Sequence, residues 1–134
     1  MLTTLIVCMA NCGAPTTTAD ELGAAAASYL QNCHEMHYLK RSTCPGIDVP
    51  VLLQCSNDVE RELPTTYRAD FRNGQRILAQ KFATDIPTTM QNRFAAALGA
   101  NDGDTALACQ SLAAENAQRR LQLMRQLKSF SKSR

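Results

Sequence analysis

Residues 18–40, TADELGAAAASYLQNCHEMHYLK, decide the fold class of this 134-residue chain. Thr18 and Glu21 have the T-x-x-E spacing of a capping box, which indicates the start of a helix. After this start, apolar residues recur every three or four positions and therefore share one helical face: Leu22, Ala26, Tyr29, Cys33 and Met36. The stretch predicts an amphipathic helix from about Ala19 to Lys40.

Four further helical segments follow, each with boundary signals of its own. They run from about Asp48 to a stop at Pro64, from Thr65 to about Thr84, from Pro87 to Leu98, and from about Asp104 to Ser129. The expected N-caps are aspartates: Asp48, Asp85, and either Asp102 or Asp104. No segment has strand alternation of useful length, so the sequence predicts an all-α protein, a small disulfide-stapled bundle of about five helices.

The third segment contains a glycine on its apolar stripe. That stripe consists of Tyr67, Phe71, Gly74, Leu78 and Phe82. Because glycine in a helix interior costs about 1 kcal/mol relative to alanine, we expect another helix to pack closely at Gly74, and the alternative is a helix break at Asn73-Gly74. The last segment has a stripe of its own: Ala106, Cys109, Ala113, Ala117, Leu121, Met124 and Leu127.

The N-terminus resembles a secretory leader. Leu2 to Ala10 form a short apolar run that is followed by small residues, as in a signal peptide. The run is too short to cross a bilayer, which takes about 20 apolar residues. We therefore expect a leader at residues 1–19, a single helical domain at 20–130, a frayed basic tail at 131–134, and a periplasmic or secreted location without a transmembrane segment.

The cysteines support an oxidising compartment. Six are present, and loss of Cys8 and Cys12 with the leader leaves an even number, which reads as two disulfides. The remaining four are Cys33, Cys44, Cys55 and Cys109. There is no Trp and much Ala, so the core gains from covalent staples.

The expected pairing is Cys33–Cys55 with Cys44–Cys109. The first two helices are joined by a short Pro/Gly loop and should pack antiparallel, which places Cys33 and Cys55 level with each other. Cys33 and Cys44 would then be too far apart for a disulfide. If the first helix instead ended near Met36, Cys33–Cys44 and Cys55–Cys109 would be the pairing.

One segment, Cys33-His34-Glu35-Met36-His37, contains metal-ligating side chains. It holds both histidines of the chain, and a copper or zinc site is one interpretation, with His34, Met36 and His37 as the candidate ligands. The alternative is that Cys33 is in a disulfide and Met36 in the core, and we favour it. We therefore expect no metal and no cofactor.

The last segment is strongly basic. From residue 119 onward there are six cations and no acid: Arg119, Arg120, Arg125, Lys128, Lys132 and Arg134. A nucleic-acid or anionic-lipid patch is one reading. Because no aromatic or Gly-rich binding signature accompanies the charge, we favour a solvated helix whose cations complement the helix dipole, and we expect no nucleic acid.

No catalytic motif is present. The chain has no G-x-S-x-G sequence, and disulfide bonding would leave no activated thiol. The expected function is therefore that of a non-enzymatic exported binding protein, acting through protein–protein contact as an inhibitor, an immunity-type neutraliser or an accessory subunit. The alternative is a periplasmic metal-binding or metal-transfer protein that uses the Cys33–His37 segment. The sequence does not indicate which residues would contact a partner.

Overall fold

The computed structural model describes residues 14–132, and in that range the chain forms four α-helices and no strand. They are α1 (Ala14–Ser42), α2 (Leu52–Glu62), α3 (Thr65–Ala100) and α4 (Thr105–Lys132). The all-α prediction is confirmed, but the expected number of about five helices is wrong. The first 13 residues, which include Cys8, Cys12 and most of the expected leader, lie outside the described range.

The third and fourth predicted helices are one helix. α3 continues through Gly74 and through Pro87, although a proline in a helix interior costs about 3 kcal/mol. The buried residues Phe82, Ile86 and Met90 lie on either side of the proline at helical spacing. Their burial in the core outweighs the local penalty, so the expected cap Asp85 is an exposed residue in the helix interior.

Two helix starts also differ from the prediction. α1 begins at Ala14 and not near Ala19, so Thr18 of the expected capping box lies inside the helix. The signal that was missed is Pro15, since proline is tolerated in a first turn. α2 has Val51 as its N-cap and not Asp48, because the chain around Pro50 is extended before the helix begins.

The other boundaries follow the expected signals. Leu63, the C-cap of α2, is extended, as expected for a residue before a proline. Between α3 and α4, Asp102 and Gly103 have φ values of 52° and 79°, which form the turn. Asp104 then caps α4, because its Oδ1 accepts a hydrogen bond from the Leu107 N–H at 3.0 Å.

Two disulfides join the helices in the expected pairing. Cys33 of α1 is bonded to Cys55 of α2, and Cys44 after α1 is bonded to Cys109 of α4. All four cysteines are buried. Disulfides form and persist in oxidising environments, so these two are consistent with an extracellular or other oxidising compartment.

α1 is the central helix, and it packs against each of the other three. Its buried residues cover a wider arc than the predicted stripe, since Ala25, Leu30 and Leu39 are buried as well. A helix that contacts neighbours on several sides must be apolar around most of its circumference. In α1 the alanine run supplies one of these extra buried residues, Ala25, and leucines supply the other two.

The buried face of α4 is rotated from the predicted one. Leu121 was expected inside but is 59% exposed, whereas Leu112, Asn116 and Leu123 are each 2% exposed. The prediction followed the most apolar stripe. The true buried stripe contains a polar residue, Asn116, and hydrophobic periodicity alone does not reveal such a stripe.

Candidate functional site

A groove with a volume of about 480 Å³ lies between the first half of α1 and the first half of α3. We call it the α1–α3 groove. Its large apolar residues are Leu22, Leu63, Tyr67, Phe71, Ile77 and Leu78, its small residues are Gly23, Ala26, Ala27 and Gly74, and its charged residue is Asp70. No residue of α3 before Phe82 is buried, so 17 residues of the longest helix are only partly covered.

The glycines in the groove do not serve close packing. A Cβ atom placed on Gly23 or on Gly74 would meet nothing within 4 Å. The expectation that another helix approaches closely at Gly74 is therefore wrong, and so is the alternative of a broken helix. What the two glycines provide is open volume between α1 and α3.

The edge of the groove exposes large apolar side chains to solvent. Ile77 is 70% exposed and Tyr67 is 40% exposed. Asp70 beside them makes no ion pair or side-chain hydrogen bond within the described part of the chain. An apolar groove with exposed aromatic and aliphatic edges and few charges has the composition of a protein-binding surface.

Polar side-chain contacts, and not apolar packing, join α2 to the first half of α3. The Ser56 hydroxyl donates to Gln75 Oε1 at 3.0 Å, and Arg72 pairs with Glu60. Such polar contacts at a surface contribute little to stability.

The Cys33-His34-Glu35-Met36-His37 segment is divided among different surroundings. Cys33 is in a disulfide and Met36 is 2% exposed in the core. Glu35 receives a hydrogen bond from Arg93 Nη1 at 3.4 Å. Of the candidate ligands only His34 and His37 lie at the surface, and the described residues contain no group of three or more His, Cys, Asp or Glu able to hold a metal ion.

The two imidazoles line a second cavity, of about 340 Å³, between α1, α2 and α3. We call it the histidine pocket, and its residues are His34, His37, Tyr38, Arg41, Leu52, Ala79, Phe82, Ala83, Ile86 and Pro87. Nε2 of His37 lies 2.6 Å from the Pro50 carbonyl oxygen and donates a hydrogen bond to it. The ring of His34 lies 5.1 Å from that of Phe82.

A buried polar cluster joins α1 to α4, and sequence reasoning missed it. Asn32 Nδ2 donates to the Asn116 carbonyl at 3.0 Å, and Asn116 Nδ2 donates to the Asn32 carbonyl at 3.1 Å. Arg120 Nη1 then donates to both amide oxygens, at 2.9 and 2.7 Å. The available signal was the i, i+4 spacing of Asn116 and Arg120 on a helix, a pattern that also occurs on solvated faces.

The basic segment of α4 does not form one continuous surface. Arg120 is directed inward to the asparagine pair, and Arg119 lines a small polar cavity with Glu35. Arg134 is outside the described range. Among residues 14–132, each helix is too short or too polar to span a lipid bilayer.

The chain matches no protein-family model, and no curated protein sequence or solved structure is significantly similar to it. Its function must therefore be inferred from the two cavities and the surfaces around them.

Proposed function

We propose that this chain is an exported binding protein that receives an apolar helix of a partner protein in the α1–α3 groove. One observation carries the proposal: the first half of the longest helix presents apolar residues to a groove that no other part of the described chain fills. Through this contact the protein would act as an inhibitor, an immunity-type neutraliser or an accessory subunit.

The dimensions of the groove suit a helix as the occupant. From Tyr67 to Leu78 it extends over twelve residues of α3, which is about 16 Å, or three helical turns. An amphipathic helix presents apolar anchors at i, i+3 or i+4, and i+7, which span about 10 Å and so fit within this length. The small residues Gly23 and Gly74 leave room for those anchors between α1 and α3.

The charge of the groove specifies the partner further. Asp70 is the charged residue among those that line it and has no cation beside it within the described chain. A carboxylate at the edge of an apolar contact is stabilised by a cation from the other side. The partner helix is therefore expected to place a Lys or Arg next to its apolar stripe.

Site-specific photo-crosslinking in the source organism tests this proposal. A benzophenone amino acid replaces Ile77, which is 70% exposed at the groove, and in a matched control it replaces Leu121, which is 59% exposed on α4. Both positions are apolar and accessible, so they differ only in the surface they report. We expect a covalent adduct with one defined protein at position 77 and none at position 121.

Each other outcome of the crosslinking contradicts the proposal. An adduct with a second copy of this chain would show that the groove is a homodimer interface. Adducts of equal yield at both positions would show non-specific contact. No adduct at position 77, in cells where the protein is exported and folded, would show that the groove is unoccupied.

Affinity measurements with the identified partner then test the groove itself. Gly74→Leu fills the groove with a good helix former, and Ala69→Leu makes a comparable change at an exposed position of α3 outside it. We expect Gly74→Leu to weaken binding at least about tenfold and Ala69→Leu to leave it unchanged. Loss of the partner's activity on stoichiometric addition identifies an inhibitor, whereas a gain identifies an accessory subunit.

A further inference from the structure

The histidine pocket lies further along α3 than the α1–α3 groove and is built differently. Its polar side comes from α1, where His34, His37 and Arg41 share one face at spacings of three and four residues. Its apolar side includes Phe82 and Ile86, which are buried residues of α3. A site with a cationic side and an apolar side fits a ligand that has both features.

All charged groups that face this pocket are basic. From α1 they are Arg41 and the two imidazoles, with the Tyr38 hydroxyl beside them. Arg76 of α3 faces His34 in the adjoining cavity, and α2 contributes Leu52 only to the pocket. No carboxylate is among these lining residues, so the Arg41 guanidinium is not neutralised from within the site.

The hydrogen bond of His37 orients one of the two imidazoles. Because Nε2 donates to the Pro50 carbonyl, Nδ1 is the ring nitrogen that is left for another partner. Arg41 is exposed at the mouth of the pocket, so its guanidinium can form a bidentate pair with an incoming carboxylate.

We infer that the histidine pocket binds a small organic anion, a carboxylate carried on an apolar chain. The carboxylate lies at Arg41 and the imidazoles, and the chain lies against Phe82 and Ile86. The volume of about 340 Å³ is that of a small-ligand site. This inference does not depend on the partner proposed for the α1–α3 groove.

Binding of an anion here depends on pH with a defined sign. Burial, then the nearby His37 and Arg41, lower the pKa of His34 below its ordinary value. A carboxylate bound beside the ring acts in the opposite direction, because its negative charge stabilises the protonated ring. Binding therefore takes up protons, and affinity rises as the pH falls toward and below about 6.5, the ordinary imidazole value.

Calorimetric titration of the full chain with octanoate, and separately with the uncharged octan-1-ol, tests the inference. We expect octanoate to bind one to one and at least about tenfold more tightly than octan-1-ol. Arg41→Gln should weaken octanoate binding at least about fivefold. Lys81→Gln removes one charge from an exposed position of α3 outside the pocket and should change nothing.

Filling variants locate the bound chain. Ala83→Leu fills the histidine pocket from an exposed helix position, so the fold is retained, and it should abolish octanoate binding. Ala27→Leu fills the α1–α3 groove and should have no effect. Equal affinity for octan-1-ol, full binding by Ala83→Leu, loss of binding in Ala27→Leu, or affinity that does not rise on acidification would each overturn the inference.

Discussion

Where α1 contacts α4, a buried pair of asparagines, one from each helix, is hydrogen-bonded to Arg120. The disulfide from Cys44, just after α1, to Cys109 joins the same two helices. Toward the first half of α3, the same helix leaves a groove of about 480 Å³ in which even glycines have empty space around them. A closed interface with satisfied polar groups specifies one packing arrangement. The open groove adds little to that arrangement, and this is why we assign binding to it.

The comparison predicts that the free energy of unfolding depends mainly on the closed interface between α1 and α4. The largest effect is expected from Cys44→Ala with Cys109→Ala, because this disulfide spans 65 residues of sequence. In the chain-entropy model its removal lowers the free energy of unfolding by about 4 kcal/mol. The matched pair Cys33→Ala with Cys55→Ala, which spans 22 residues, should lose about 3 kcal/mol. Urea titration measures both values, and a loss below about 1 kcal/mol for the longer loop would contradict the assignment.

Truncation of one large side chain on each side sharpens the comparison. Leu123→Ala removes a residue that is 2% exposed on α4 and should cost about 3 kcal/mol. Phe71→Ala removes a larger side chain, but one that is only partly buried at the groove, and should cost about 1 kcal/mol. Equal losses in thermal or urea unfolding would show that the groove is as much a part of the core as the α1–α4 interface.

The buried polar cluster is expected to have the next largest effect. Asn116→Ala removes the donor to the Asn32 carbonyl and one acceptor of Arg120, and groups left without partners in the interior cost about 2 kcal/mol. Asn92→Ala, at an exposed position of α3, is the control and should change stability by less than about 0.5 kcal/mol. If both variants unfolded at the same urea concentration, the cluster would have no role in packing α1 against α4.

The smallest expected effect is a gain in stability, from a substitution in the α1–α3 groove. Gly74→Ala should raise stability by about 1 kcal/mol, because alanine is the better helix former and its methyl group meets nothing within 4 Å. Gly103→Ala is the opposite case: its φ of 79° favours glycine, and about 1 kcal/mol should be lost. A destabilised Gly74→Ala protein would mean that another element occupies the groove in solution.

Local signals in the sequence were sufficient for much of the fold. The disulfide pairing followed from the inward positions of Cys33 and Cys55 on two antiparallel helices, and the start of α4 followed from Asp104, one of its two expected N-caps. These features depend on spacing and on turn chemistry within a few residues. The wrong boundaries at Asp48 and Asp85 came from residues with good capping chemistry that the rest of the structure does not use.

The candidate sites were less accessible to sequence reasoning. The segment from Cys33 to His37 contains metal-ligating residue types, but only the fold shows that its histidines line one pocket with Arg41 and Phe82. The sequence contains one local signal of the α1–α3 groove, which is the position of Gly74 on an apolar stripe. A glycine that accommodates a packed helix and a glycine that leaves a groove open are the same in sequence.

The sequence by itself determined the helical class, the two disulfides and most of the turns, because these depend on local propensity and on helical periodicity. Only the tertiary structure decided that α3 continues through Pro87, that Asn116 and not Leu121 is buried, and that Gly74 faces open space. At Pro87 the free energy of packing α3 against other helices exceeds a local penalty of about 3 kcal/mol. At Gly74 no packing offsets the cost of about 1 kcal/mol of a glycine in a helix interior.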